Sequence, residues 1–153
     1  VYLLDTNHCS HIINGDFAII SQLQQNANAG VATSVIVQGE LIFMAQNSQQ
    51  QASNLQRVEA FLQAIDLYPV NGEVGNCYGK LKAKLYAQFA PKEKNKRRQT
   101  RLQDVGFDDN DLWIAATALQ YNLTIVSSDS DFQRIQQVQR FPLVSWVSSD
   151  QSS

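Results

Sequence analysis

Five short strand-like runs, each too brief for a helix, alternate with helix-length segments along the 153 residues, and that alternation leaves few architectures open. The first run, Val1-Tyr2-Leu3-Leu4, is continuously apolar, as expected of a strand buried on both faces. Gly30–Thr33, Asp66–Val70, Leu123–Ser127 and Phe141–Trp146 are predicted as the other four strands. Asn7 to Gln25 carries Ile12, Ile13, Ile19, Ile20 and Leu23 and reads as one or two helices broken near Asn14-Gly15. Ser34 is a good N-cap for a helix to about Asn47, because its hydroxyl can accept from a free amide of the first turn. Gln46–Gln51 reads as a polar helix end or loop, and Leu55–Ile65 as the next helix. Asn71 can cap a helix whose Val74, Tyr78, Leu81, Leu85 and Phe89 form one apolar stripe, closed by Pro91. Asp108–Gln120 is a helix ended by Tyr121-Asn122, and Asp131–Val138 a short one. Strands that alternate with helices imply an α/β fold, with a central parallel sheet of about five strands flanked by helices. Ligands of such sheets bind beyond the carboxyl ends of the strands, where the strand order reverses.

Length adds that residues 1–147 fit one domain, with Ser148–Ser153 expected to be a disordered tail. Hydrophobic residues at 44% and charged residues at 17% suit a globular chain and exclude a disordered one. No apolar run approaches the roughly 18 residues a membrane helix needs, so no membrane association is expected. The first residues lack the basic flank and long apolar stretch of a signal peptide. Cys9 and Cys77 form no CxxC, which favours a reducing cytoplasm.

A net charge of −2 hides an uneven distribution. Nine of the twelve Lys and Arg lie between Lys80 and Arg101, six of them as Lys92, Lys94, Lys96, Arg97, Arg98 and Arg101. That stretch, up to about Val105, reads as loop or frayed helix. The acids gather elsewhere, at Asp104, Asp108, Asp109, Asp111, Asp129 and Asp131. A basic stretch beside an acidic cluster suits a polyanion held next to a metal; a solvated loop serving solubility is the plain alternative.

Asp5 follows directly on the first apolar run, and Asp129 lies just beyond the fourth, so both fall at the edge where such a sheet keeps its site. A strand-end Asp also serves as a turn or cap residue. Glu40 says more. Its helical neighbours Ile36, Val37, Phe43 and Met44 are all apolar, which puts a carboxylate inside the stripe expected to face the core. A buried, unpaired carboxylate costs several kcal/mol or neutralises itself, so a partner or a cation has to meet it. Asp111 repeats the pattern in the first turn of its helix, with Ile114, Ala115 and Ala118 on the same face. The helix dipole favours an acid there too, although Asp108, Asp109 and Asn110 are better placed as the cap. Four acids in one pocket cannot all stay charged without a cation, and hard oxygen ligands select Mg²⁺ or Mn²⁺. Such ions activate water and stabilise the leaving oxygen of a phosphodiester, with no need for a His or Cys nucleophile.

Competing motifs are weak. His8 and His11 flank Cys9 but have no second ligand cluster for zinc. Neither a P-loop nor a GxGxxG occurs. A phosphate-receiver domain would need paired acids at the first strand and a lysine after the fifth, and both are missing.

Leu4-Asp5-Thr6-Asn7, the helix from Thr33 to Leu41, Asn110–Ala118 and Ile125–Phe132 together resemble a PIN domain, in order and over nearly the whole chain. The resemblance is strongest to the VapC toxins of bacterial VapBC toxin–antitoxin pairs. It implies that Asp5, Glu40, Asp111 and Asp129 are the catalytic, Mg²⁺-binding acids. Thr6 and Asn7 belong to the opening signature and would orient Asp5, and Ser127 or Ser128 would hold another acid. Asp131 would cap the next helix or act in the outer shell of the metal. The activity implied is a metal-dependent endoribonuclease that cleaves RNA, inhibits translation and is neutralised by a cognate VapB-type antitoxin; homodimers are common among such toxins. Lys92–Arg101 would then guide the RNA backbone. Two alternatives are a PIN nuclease of RNA processing or decay without an antitoxin, and a non-catalytic PIN-like binding module.

Overall fold

The computed structural model describes residues 1–147; the tail expected to be disordered, 148–153, lies outside the described residues. Strands β1 (Tyr2–Leu4), β2 (Val31–Ser34), β3 (Asp66–Tyr68), β4 (Thr124–Val126) and β5 (Leu143–Val144) form one sheet in the order β3-β2-β1-β4-β5. Every neighbouring pair is parallel, with Leu3 opposite Ala32 on one side and Ile125 on the other. Because β1 is central, both its faces are covered, and Leu3 and Leu4 are fully buried. The chain moves outward from β1 through β2 to β3, then returns past β1 to lay down β4 and β5. The order therefore reverses between β1 and β4, and in sheets of this kind a crevice opens at the carboxyl ends of such a pair.

The first helical segment does break at Gly15, whose φ of +84° suits a residue without a side chain. Helices α1 (Thr6–Ile13) and α2 (Phe17–Gln25) lie on either side of it. Helix α3 (Val35–Gln46) is capped as expected, with Val37 N donating to Ser34 Oγ at 3.2 Å. Helix α4 (Gln51–Gln63) starts four residues before the expected Leu55, so the glutamine-rich stretch is shared between two helix ends. Helix α5 (Gly72–Phe89) is capped by Asn71 and buries Val74, Leu81 and Leu85. The basic stretch folds into a short helix, α6 (Lys94–Gln99), and a 3₁₀ turn, Leu102–Val105. Helix α7 (Asp109–Tyr121) ends at Asn122, which adopts the left-handed conformation that asparagine tolerates. Helix α8 (Ser130–Gln136) completes the set.

Strands β3 and β5 are shorter than expected. Pro69 has no N–H to offer the ladder, and β3 is an edge strand with Leu67 partly exposed. Among the described residues no helix is long and apolar enough to cross a membrane.

Candidate metal centre

Asp5 closes β1 and opens α1. Its backbone N–H donates to Val126 O at 3.1 Å, which pins the end of β1 to the end of β4. The residue is 5% exposed and its side chain serves as the N-cap of α1: Oδ1 accepts from His8 N at 2.8 Å and from His8 Nδ1 at 2.9 Å. Thr6 and Asn7, expected to orient Asp5, do not do so by hydrogen bonding. Thr6 Oγ1 is buried without a hydrogen-bond partner, and Asn7 is exposed. The anchoring donors come from His8 instead, because the third residue of a helix turns its N–H toward the cap.

Glu40 lies on α3, but the reason for its position differs from the expected one. Helix α3 is apolar on nearly every side and buries Val37, Leu41 and Ala45. Phe43 and Met44, expected beside Glu40 in the core, are 66% and 49% exposed. Glu40 therefore belongs to a half-buried stripe beside the core and not to the core itself. Burial still pushes its carboxyl above the ordinary carboxylate range, and the charges of Asp108 and Asp5 push the same way. The nearby Thr6 hydroxyl and Asn110 amide draw it back, the hydroxyl without completing a hydrogen bond.

Asp111 sits in the first turn of α7, the position that burial of Leu112, Ala115 and Ala118 against the rest of the fold assigns to it. Asp108 caps the helix, accepting from Asn110 N at 2.8 Å. Helix α5 braces this turn: the Tyr78 hydroxyl donates to Asp109, and the Tyr78 ring stacks on Trp113 at 3.7 Å. Burial pushes the Asp111 carboxyl up to about 8, reinforced by the charges of Asp129, Asp108, Asp131 and Glu40.

Asp129 and Asp131 open α8. The cap is Asp129, whose Oδ1 accepts from Asp131 N at 2.9 Å, and not Asp131 as expected. An Asp one residue before the first helical position reaches these amides, whereas Asp131 already lies within the first turn. Asp131 instead joins Asp111 and Asp129 in a cluster where one carboxylate oxygen from each lies within 4.8 Å of those of the other two. Burial and the Asp129 charge raise its carboxyl, and Arg134 opposes them. Ser127 Oγ, buried, accepts from Asp129 N at 3.0 Å and sets the turn. Ser128 pairs with Ser145 in the loop after β5. Of the two serines, the holding role thus falls to Ser127.

The structure therefore draws Asp111, Asp129 and Asp131 into one cluster, with Asp5 and Glu40 close enough to act on each other's charge. Among the described residues only Arg134 forms an ion pair with any of the three clustered acids, at 3.9 Å from Asp131. A donor set made only of oxygen suits a hard divalent cation. The orphaned Thr6 hydroxyl beside Glu40 fits the same reading, since a water carried by such a cation would supply its missing partner. Lys92, Lys94, Lys96, Arg98 and Arg101 are exposed and Arg97 half-buried, and their ionic contacts are local: Lys96 with Glu93 at 3.5 Å and Arg101 with Asp104 at 3.7 Å. Sequence alone does not bring out two contributors. The Asp108 charge acts on Glu40, Asp111 and Asp131, a reach that its place three residues before Asp111 hints at. His8, by sequence no more than a weak zinc ligand, is the residue that holds Asp5.

Comparison with known proteins bears on the same residues. The PIN domain family model matches residues 2–138. Ribonuclease VapC1 of Haemophilus influenzae strain R2866 is 28% identical over 142 residues, covering 91% of this chain and 95% of its own. Ribonuclease VapC2 of Rickettsia felis is 28% identical over 140 residues, covering 88% and 92%. Among solved structures, VapBC-1 from nontypeable Haemophilus influenzae superposes with a TM-score of 0.73 at 25% identity, covering 95% of this chain and 97% of that one. DNA-bound VapBC from Salmonella typhimurium gives 0.77 at 22% identity, with coverage of 95% and 98%.

Proposed function

We propose, from the premise that this chain belongs to the PIN-domain family, that it is a metal-dependent endoribonuclease toxin restrained by a cognate VapB-type antitoxin. The observation that carries the proposal is the convergence of Asp111, Asp129 and Asp131 at the sheet's carboxyl edge with little cationic compensation from the protein. Relatives named ribonuclease VapC support RNA as the substrate, and neighbours solved as VapBC complexes support an antitoxin partner. Residues 1–147 act as one domain, and its work belongs to the cytoplasm, where RNA is available and Cys9 and Cys77 stay reduced.

Asp5, Glu40, Asp111 and Asp129 are the residues that would hold Mg²⁺ or Mn²⁺, with Asp131 beside them. When bound, the cation supplies positive charge against the scissile phosphate and makes a water nucleophilic near neutral pH. The protein's part is orientation. The cap of α1 holds Asp5, the turn at Ser127 holds Asp129, and Tyr78 steadies the first turn of α7. Asp111, protonated near neutral pH when alone, must release its proton as a cation enters, so binding strengthens as pH rises toward about 8. Lys92, Lys94, Lys96, Arg97, Arg98 and Arg101 attract the RNA backbone and offset repulsion from the acids.

The test compares cleavage of a labelled structured RNA by the wild type and Asp5→Asn, with Mg²⁺ or Mn²⁺ and then with EDTA. Cutting that needs the metal and disappears in the variant is expected. A folded, antitoxin-free protein that leaves total cellular RNA intact would overturn the reading.

A further inference from the structure

We infer that His8 is a positioning residue that aims the Asp5 carboxylate, with the backbone amide of Trp146, in the segment after β5, fixing which ring nitrogen donates. The inference rests on the proposal that Asp5 is a metal ligand. His8 lies in the first turn of α1 and is fully buried. Both its ring nitrogens are engaged, by partners at opposite ends of the sequence. Trp146 N donates to Nε2 at 3.2 Å, and Nδ1 lies 2.9 Å from Asp5 Oδ1.

These contacts decide the tautomer. A backbone N–H can only donate, so the ring nitrogen it faces carries no proton. The ring proton therefore sits on Nδ1 and is donated to Asp5. A capping Asp needs only backbone amides from its helix. Here the third residue of the helix donates twice, through its amide and through its ring, and both bonds fall on Oδ1. Oδ2 has no protein donor among the described residues and is the oxygen left to face a cation. Outer hydrogen bonds of this kind fix the orientation of ligands and tune their affinity.

The ring is also held from outside. Trp146 is 7% exposed and meets His8 edge-on, with centroids 6.4 Å apart, while Tyr2 packs at a tilt against the indole with centroids 5.6 Å apart. Trp146, itself packed on Tyr2 of β1, thus holds the imidazole from the segment after β5. Leucine at this position would fill the core and leave the cap of α1 intact, but would leave Asp5 with one donor.

Two substitutions separate the roles, because each keeps one of the two bonds. In His8→Asn the amide nitrogen takes the place of Nδ1 and still donates to Asp5, while the link to Trp146 is lost. In His8→Gln the longer side chain reaches the place of Nε2 and its oxygen accepts from Trp146, while Asp5 loses the ring donor. Binding of Mn²⁺ to the full chain without RNA, followed by the signal of the free ion, is expected to stay within about threefold of wild type in His8→Asn. It should weaken by roughly tenfold or more in His8→Gln. Thermal melts of the metal-free variants should fall by similar amounts, since each loses one buried hydrogen bond. Nitrogen NMR of the wild type should find His8 protonated at Nδ1, a measurement that requires neither variant to fold. A proton on Nε2 would overturn the inference, as would Mn²⁺ affinity in His8→Gln equal to wild type. Wild type that binds no Mn²⁺ would overturn the metal reading and this inference together, whereas loss of affinity in His8→Gln alone upholds both.

Discussion

Asp5 and Asp111 are both buried or half-buried aspartates at the beginning of a helix, and the protein treats them differently. Asp5 is the cap itself, and two donors from His8 converge on one of its oxygens. Asp111 lies in the first turn of α7, where Asp108 has taken the cap, and its nearest charges are those of other acids. One side of the crevice is built by hydrogen bonds before any ligand arrives. The other holds carboxylates together that repel one another, and its compensation has to come from outside. A site of this kind is oriented on the first side and made hungry for charge on the second.

The largest effect that would test this contrast is on cleavage. Asp111→Asn and Asp5→Asn should each lower the rate of RNA cutting by about 100-fold or more, since even partners of a metal ligand typically carry 10- to 100-fold. Near-wild-type cutting by Asp111→Asn would break the comparison at its acidic side. Next comes stabilisation by the ion. At about 100 times its dissociation constant, Mn²⁺ should stabilise the wild type by about 2.7 kcal/mol. The same titration followed by thermal melting should give little shift in Asp111→Asn.

A smaller effect concerns pH. The Asp111 carboxyl rises to about 8 in the folded state, chiefly through burial, against an ordinary value of 3.8. Between these values the folded, metal-free protein holds a proton that the unfolded chain releases. Stability is therefore present at low pH and is lost as pH rises from about 4 to 8. Melting temperature in EDTA should fall from pH 5 to pH 8 in wild type and fall less in Asp111→Asn. Identical pH profiles for the two proteins would mean that Asp111 is compensated after all. The smallest effect lies away from the crevice. Replacing Lys94, Lys96 and Arg98 by Gln should weaken RNA binding and flatten its salt dependence, by about 0.7 in slope for each single-strand phosphate no longer neutralised. An unchanged slope would return α6 to a solvated helix.

Much of the fold was legible because its signals are local. A continuous apolar run ending in Asp, a Ser34 that caps α3 and an Asn71 that caps α5 each act within four residues. The site was legible as a set of residue types at strand ends and in helix first turns. Its internal division of labour was not. Helix α3 is apolar nearly all round, so periodicity alone had no way to tell that Val37, Leu41 and Ala45 go inward while Phe43 and Met44 stay in solvent. Asp129 and Asp131 both look like caps in the sequence, and only the path of the turn at Ser127 decides that Asp129 is the cap and Asp131 joins Asp111.

What the sequence determined by itself is therefore the order of strands and helices, the parallel character of the sheet and the candidate acids at its carboxyl edge, because propensity, capping and alternation act over a few residues. Which acids meet, which serine holds the turn and which nitrogen of His8 carries the proton were decided by tertiary structure. Those outcomes depend on neighbours such as Trp146, 138 residues from His8, and on a strand order that reverses between β1 and β4. Contacts of that range are made by the packing of the whole sheet, and local chemistry carries no record of them.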